Sequence, residues 1–432
     1  MEIRELAAKV KQASIQLAAM DGAQKNEALR CIAEALDGRR QEIIRANEED
    51  LRRSAAEHLA EPLLKRLKFD QDSITEAVDG LRSLITLAEP VGKTLLSTEL
   101  DDGLELYKVT CPIGVIGVIF ESRPDALVQI SSLCLKSGNG VLLKGGSEAK
   151  ETNRILAELI VQATTKAGLP ADWLYLLETR SEVDEMLKES DSIDLLIPRG
   201  SNEFVRYIMD HSQIPVMGHA DGICHLYVDA GADVAMAVQL AVDSKTQYVA
   251  VCNATETLLV HEKIATAFLP QLAAALAPKQ VELIGCPKTA ALISGITPAS
   301  EGDWGAEYLD YRLAVKVVPS LEEAIRHINH YGSGHTDSIV TTDRQAAATF
   351  MSLVDSGNVY WNCSTRFSDG FRYGFGAEVG VSTGKIHARG PVGLEGLLIY
   401  KFKLIGNGHI VADYAERVKT FKHNPLGRDC PL

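Results

Sequence analysis

From Val115 to Val354 the chain alternates between short apolar runs and longer amphipathic stretches, and this alternation limits its possible folds more than any other feature. A strand followed by a crossover helix and a second strand returns parallel to the first, so a repeated series builds a parallel sheet with helices on both faces. The first series reads as a strand at Val115–Phe120, a helix at Asp125–Ser137, a strand at Gly140–Lys144 and a helix at Glu148–Ala167. Shorter strands follow at Trp173–Leu177 and Ile193–Ile197, with a helix from Asn202. A second series begins near Gly222, with strands at His225–Val228, Thr257–Val260, Val281–Ile284, Ala314–Val318 and Ser338–Thr341. Its helices read at Val234–Ser244, Lys263–Ala277, Leu321–His330 and Arg344–Val354. Two such series predict an α/β protein of two αβ domains, which 432 residues accommodate at roughly 150 residues per domain.

The flanks read differently. Within residues 1–90, Glu27–Leu36, Arg39–Ala56 and Asp72–Leu87 are apolar at three- and four-residue steps, the mark of amphipathic helices. After Pro90, Leu96–Leu100 and Leu104–Val109 flank Asp101-Asp-Gly103, a hairpin signal. Its alternating polar residues predict an arm standing off the main sheet. Gly370–Gly393 is rich in glycine and charge and poor in periodicity, and reads as an ordered functional loop. Leu397–Leu404 reads as a final strand, and the last dozen residues as a loosely held tail.

Composition removes several classes. Lys and Arg number 44 against 58 Asp and Glu, a net charge of −14, and such a chain lacks the basic surface with which a non-specific nucleic-acid binder displaces counterions. Eight cysteines scattered along the chain read as reduced thiols, not as a disulfide framework. No stretch approaches the ~18 apolar residues of a membrane span, and residues 1–20 carry mixed charge where a leader peptide is apolar. His219, Cys224 and His225 lie close together, but no second ligand pair follows at zinc-like spacing. The expectation is a cytoplasmic, metal-free protein in which any anionic substrate needs locally clustered cations.

Three glycine-rich turns adjoin predicted strands, at Ser137–Gly140, Lys144–Ser147 and Arg199–Asn202. Glycine lets backbone approach a phosphate, and a helix N-terminus offers it free N–H groups. Glycine also punctuates ordinary αβ connections, and none of the three turns matches G-x-G-x-x-G. Cys252 lies between a helical pattern and a strand, where cysteine serves either as a small core residue or as a nucleophile. Arg366, Arg372, Lys385, His387 and Arg389 concentrate actual or potential positive charge in one glycine-interleaved segment. Guanidinium forks fit carboxylate and phosphate, and the length of the loop favours an anion site over a merely solvated surface. Arg123, before Pro124 at a strand-to-helix junction, reads equally as a cation site and as a helix start.

The strings Pro112-Ile-Gly-Val-Ile-Gly-Val-Ile-Phe-Glu-Ser-Arg-Pro124, Ile197-Pro-Arg-Gly-Ser-Asn202, Cys252-Asn-Ala-Thr-Glu-Thr257 and His387-Ala-Arg-Gly-Pro391 together resemble the γ-glutamyl phosphate reductase family of the aldehyde dehydrogenase superfamily. The resemblance implies an aldehyde-dehydrogenase-like fold: a Rossmann-like NADP-binding domain (1–95 and 111–221), a catalytic domain (222–395), an oligomerisation arm (96–110 and 396–412) and a C-terminal extension (413–432). It implies NADPH-dependent reduction of L-glutamyl 5-phosphate to L-glutamate 5-semialdehyde, the second step of proline biosynthesis. The implied enzyme is a homo-oligomer with glutamate 5-kinase as a partner. Cys252 is then the nucleophile that forms a thioester, with Asn253 and Ser122 as further catalytic residues. Lys144, Ser147, Gly200, Ser201 and Glu307 take the cofactor, and Arg123, Asn362, Arg366, Lys385 and Arg389 take the substrate.

Three departures from ordinary aldehyde dehydrogenases sharpen the resemblance. Ser147 replaces a ribose-binding glutamate three residues after the lysine, which removes repulsion toward a 2′-phosphate. Gly218–Gly222 replaces the segment with the water-activating glutamate, and a reductase has to keep water off its thioester. Ser122 stands in place of the oxyanion asparagine. Two other readings compete: an NAD(P)-dependent aldehyde dehydrogenase of another small acidic aldehyde, and a catalytically silent oligomeric binding protein. The missing glutamate argues against hydrolysis, and the intact Cys252 and basic loop argue against silence.

Overall fold

In the computed structural model, which describes residues 2–179 and 181–432, the chain divides into two compact units. One unit comprises 1–200, 207–216 and 393–432, and the other 201–206 and 217–392.

The first unit opens with amphipathic helices where the periodicity predicts them. Gly22–Gly38 starts at a capping box in which Asp21 and Gln24 exchange side-chain-to-backbone hydrogen bonds, and Gln71–Thr86 starts on Asp70. The predicted hairpin follows as β1 (Thr94–Asp101) and β2 (Leu104–Pro112), turning at Gly103, whose φ of 74° suits glycine. A parallel sheet is then built from β3 (Val115–Phe120), β4 (Gly140–Gly145), β5 (Leu174–Leu177) and β6 (Leu195–Arg199). Every residue of β3 and β4 is buried, as expected of strands covered on both faces. The spatial order is β5-β4-β3-β6. The chain therefore steps outward from β3 and returns on its other side, and the direction reverses between β3 and β6. Ligands of open α/β sheets bind beyond the carboxyl ends of the strands at that reversal. Ser122 follows β3 there, and Gly200 follows β6.

The second unit holds seven parallel strands in the order β10-β9-β11-β8-β7-β12-β13. These are β7 (Cys224–Val228), β8 (Thr255–His261), β9 (Glu282–Gly285), β10 (Thr297–Pro298), β11 (Arg312–Val318), β12 (Thr336–Val340) and β13 (Asn358–Trp361). Leu226, Leu258 and Val315 pack on one face against Phe268, Leu269 and Leu272 of the helix Glu262–Leu276. Tyr227, Leu259 and Ile339 pack on the other against Ile325, Ile328 and Phe350. Within the segment read as a functional loop, β14 (Gly380–Ser382) and β15 (Gly390–Val392) form a short antiparallel ladder.

The C-terminus returns to the first unit. There β16 (Leu398–Ile405) pairs with β2 along its length, and β17 (Asn424–Pro425) pairs with β1. The tail is thus not loose: Lys422 N donates to Leu100 O, and Leu426 N donates to Ser97 O. An open β1 edge offers unpaired backbone groups, and the tail satisfies some of them. Among the described residues, no helix is long and apolar enough to cross a membrane.

Candidate active site

Cys252 lies half-buried in a turn just ahead of β8, closed by Ala254 N donating to Val251 O at 3.1 Å. The segment before β7 lies directly against it because residue 222 is glycine. A Cβ there would sit 2.3 Å from Cys252 O and 2.5 Å from its Cα. This contact brings His219 to the thiol. One ring nitrogen of His219, one of His335 and Cys252 Sγ all lie within 4.8 Å of one another. His219 Nδ1 is 2.8 Å from Val381 O, and the two imidazoles stand edge-on with centroids 5.0 Å apart. His335 is fully buried, and that burial holds it well below the ordinary imidazole range. Beneath the turn, the Cys224 thiol donates to Cys252 O at 3.1 Å and is pushed up by burial. The grouping gathers at the amino ends of β7, β8 and β12. Cys252 and His335 lie far from His219 in sequence, so spacing gave no hint that the three meet.

Arg366 is carried to the same place by its neighbours. Asn253 Nδ2 donates to Ser368 O at 2.8 Å, and Thr365 Oγ1 donates to Asn253 O at 2.7 Å. These bonds fasten the turn bearing Arg366 to the residue after Cys252, so the Asn253 amide braces that turn. The Arg366 guanidinium is buried, with Nε donating to Gln247 Oε1 at 2.9 Å and Nη1 left without a partner. Burial pulls it below its ordinary range, Arg372 adds to the shift, and Cys252 opposes it.

The other expected substrate residues are engaged elsewhere. Lys385 and Arg389 both pair with Asp355, at 2.5 and 3.0 Å, and Arg389 also donates to Thr383 O. The Asn362 side chain accepts from Thr341 N at 2.9 Å and donates to Thr341 O at 3.0 Å, clamping the strand end. In this arrangement Asn362, Lys385 and Arg389 hold the loop. In the first unit, Arg123 is exposed and pairs with Asp125 at 3.0 Å.

Glu307 accepts a hydrogen bond from Asn202 and another from the backbone of Gly222, while burial raises its carboxyl. Asn202 also donates to Asp221 Oδ1 at 3.1 Å, and Asp221 pairs with Arg206. Glu256, four residues after Cys252, is buried with Lys245 at 2.6 Å and accepts from Leu309 N at 3.2 Å. Burial pushes its carboxyl up to about 7. This pair, which sequence reading passed over, ties the start of β8 to the loop bearing Glu307.

The expected cofactor residues of the first unit collect at the carboxyl edge of its sheet. Lys144 is the penultimate residue of β4, buried, with Nζ donating to Gly145 O at 2.5 Å. Gly200 follows β6, and Ser201, which clusters with the second unit, accepts from Val205 N at 2.9 Å as the helix Asn202–His211 begins. Ser147 is exposed and accepts from Arg53 through its carbonyl. Ser122 has a φ of 45° and donates both its N and its Oγ to Glu148 Oε1, at 2.5 and 2.8 Å. Both polar hydrogens are taken, so the oxyanion role expected of Ser122 gains nothing from this geometry.

Residues 1–289 match the aldehyde dehydrogenase family. A γ-glutamyl phosphate reductase from Acetivibrio thermocellus is 70% identical over 432 residues, covering 100% of both chains. One from Pelotomaculum thermopropionicum is 71% identical over 429 residues, 99% of each chain. The chain belongs to the γ-glutamyl phosphate reductase family. The crystal structure of the Thermotoga maritima member superposes with a TM-score of 0.93 at 42% identity, covering 95% of this chain and 100% of that one. An acetylating aldehyde dehydrogenase from Geobacillus thermoglucosidasius, 18% identical with a TM-score of 0.63, shares the fold. Aldehyde dehydrogenase membership implies a nicotinamide cofactor. The first unit suits one: a buried cation at the end of β4, and a glycine turn after β6 at the point where strand order reverses.

Proposed function

We propose that this chain catalyses NADPH-dependent reduction of L-glutamyl 5-phosphate to L-glutamate 5-semialdehyde and phosphate, the second step of proline biosynthesis from glutamate. The observation that carries this reading is Arg366, a buried guanidinium with an unpaired Nη1 in electrostatic reach of Cys252. A cation held out of water beside a thiol suits an acyl substrate that brings its own negative charge better than an uncharged aldehyde.

The Cys252 sulfur attacks the acyl carbon, phosphate leaves, and a thioester links substrate to enzyme. The backbone N–H of Cys252 donates to the oxygen on which charge develops. When bound, NADPH supplies the hydride that reduces the thioester carbon. The resulting hemithioacetal on Cys252 releases the aldehyde. Asp221, the carboxylate of the 218–222 segment, is paired with Arg206 and bonded to Asn202, which supports reduction over hydrolysis. Lys144 and Gly200 are the residues of the first unit that would hold the cofactor. Ser147 brings no negative charge, and that of Glu148 is drawn to Ser122, which supports NADPH over NADH.

Leu95, Leu96, Ile399, Phe402 and Leu404 are exposed on β1 and β16, in support of an arm that assembles a homo-oligomer. Acyl phosphates hydrolyse readily, so glutamate 5-kinase is the fitting supplier of substrate. The deciding experiment supplies glutamate, ATP and a glutamate kinase and follows NADPH absorbance. The expected outcome is kinase-dependent decay that Cys252→Ala abolishes. Near-wild-type turnover by that variant would remove the thioester, and decay independent of the kinase would remove the substrate.

A further inference from the structure

The thiolate is the nucleophilic form of cysteine, yet an ordinary thiol with a pKa of about 8.5 is mostly protonated at neutral pH. Two imidazoles stand within 4.8 Å of Cys252 Sγ, and they are not equivalent. His335 is fully buried, and its Nδ1 is 2.8 Å from Thr336 Oγ1 and 3.5 Å from Cys224 Sγ. Its surroundings keep the ring neutral. His219 is half-buried, and its Nδ1 faces the Val381 carbonyl of β14, which only accepts. Nδ1 therefore carries the ring hydrogen, and Nε2 is the ring atom able to accept a proton.

We infer that His219 is the general base for Cys252. The groups around it include Cys252 from the turn before β8, His335 from the segment before β12 and the Val381 carbonyl, with Cys224 of β7 behind His335. Arg366, from the turn after β13, also acts on Cys252, but a guanidinium offers no acceptor for a proton. His219 takes the thiol proton as the S–C bond forms and the C–O bond to phosphate breaks. The released phosphate takes its own proton from water. After hydride addition the C–S bond breaks, the aldehyde carbonyl re-forms, and the imidazolium returns its proton to the departing sulfur. Gly222 makes the arrangement possible, since any side chain there would lift His219 and its segment off the nucleophile. The identity of the acyl group attacked rests on the function proposed above, and the activation of the thiol does not.

The test separates the two. In the presence of EDTA, iodoacetamide alkylation of the Cys252 peptide is followed by mass spectrometry across pH in the full-length wild type, His219→Asn and His219→Gln. The wild type is expected to react at pH 7 well above the rate of an ordinary thiol. Both variants should be about tenfold slower at that pH and match the wild type at about pH 10, where any thiol is ionised. Reductase kcat in both variants should fall by about 100-fold at pH 7, with KM for the acyl phosphate changed less than threefold. Variant rates equal to wild type at pH 7 would overturn the base, as would rates lowered equally at every pH, the signature of a merely structural residue. A wild-type profile of one ordinary thiol would overturn it without any variant. Normal Cys252 alkylation in a wild type that leaves NADPH untouched would overturn the proposed reaction and leave the base standing.

Discussion

Replacing Arg366 tests the substrate site most directly. Its Nη1 is buried and unpaired, while Nε is already spent on Gln247, so one charge-assisted hydrogen bond remains for an anionic substrate. Such bonds contribute about 1.5–3 kcal/mol, and at ~1.4 kcal/mol per decade Arg366→Ala should lower kcat/KM by roughly 10- to 150-fold. Arg366→Lys keeps the charge, but an ammonium cannot hold Gln247 and reach the ligand with a fixed fork, so a loss of about tenfold is expected. Stability should respond in the opposite sense. A buried cation lacking a full set of partners is a cost to the folded state, so removing it should leave the unfolding midpoint unchanged or raised. The kinase-coupled NADPH assay gives kcat/KM, and a urea titration of the same samples gives stability. An Arg366→Ala enzyme within threefold of wild type, folded and equally stable, would refute the assignment of this residue to the substrate.

Three other perturbations follow from the geometry. Gly222→Ala puts a methyl group 2.3–2.5 Å from the Cys252 backbone and should cost roughly 100-fold in kcat by displacing the nucleophile; unchanged turnover would show that the segment yields freely. Lys245→Met strands the buried Glu256 carboxylate and should destabilise by about 3–5 kcal/mol in urea unfolding, with Lys245→Met/Glu256→Leu recovering most of it; equal midpoints for the single variant and wild type would contradict a paired, charged Glu256. Burial holds His327 down to about 2, so its contribution to stability is complete above about pH 6.5 and is lost as pH falls, because the unfolded chain binds a proton that the folded chain refuses. His327→Gln should therefore flatten the acid limb of a stability–pH curve by about 1.4 kcal/mol per pH unit between pH 6 and 4, and an unchanged slope would place the proton uptake elsewhere.

The central strands were legible because burial on both faces leaves a continuous apolar signature, as in β3 and β4. The four residues of β13 are mostly half-exposed and show no such signature, and no local pattern could announce that β16 pairs with β2 or that the tail pairs with β1. Cys252 could be singled out from its motif, whereas His219 and His335 reach it only through the packing of three strand starts. The basic segment exposes the limit most clearly. In sequence, Arg366, Lys385 and Arg389 are equivalent cations in one glycine-rich stretch, but sequence counts charges and not their counter-ions. Asp355, outside that stretch, pairs with Lys385 and Arg389, while Asn253 and Thr365 hold the turn that buries Arg366. The same formal charge is thus worth little on Lys385, where water screens an exposed pair to about 0–1 kcal/mol. It is worth more on Arg366, where burial leaves Nη1 without a protein partner. The positive charges of this segment are therefore unequal in what they can offer an anion, because Arg366 is buried while Lys385 is exposed and already paired.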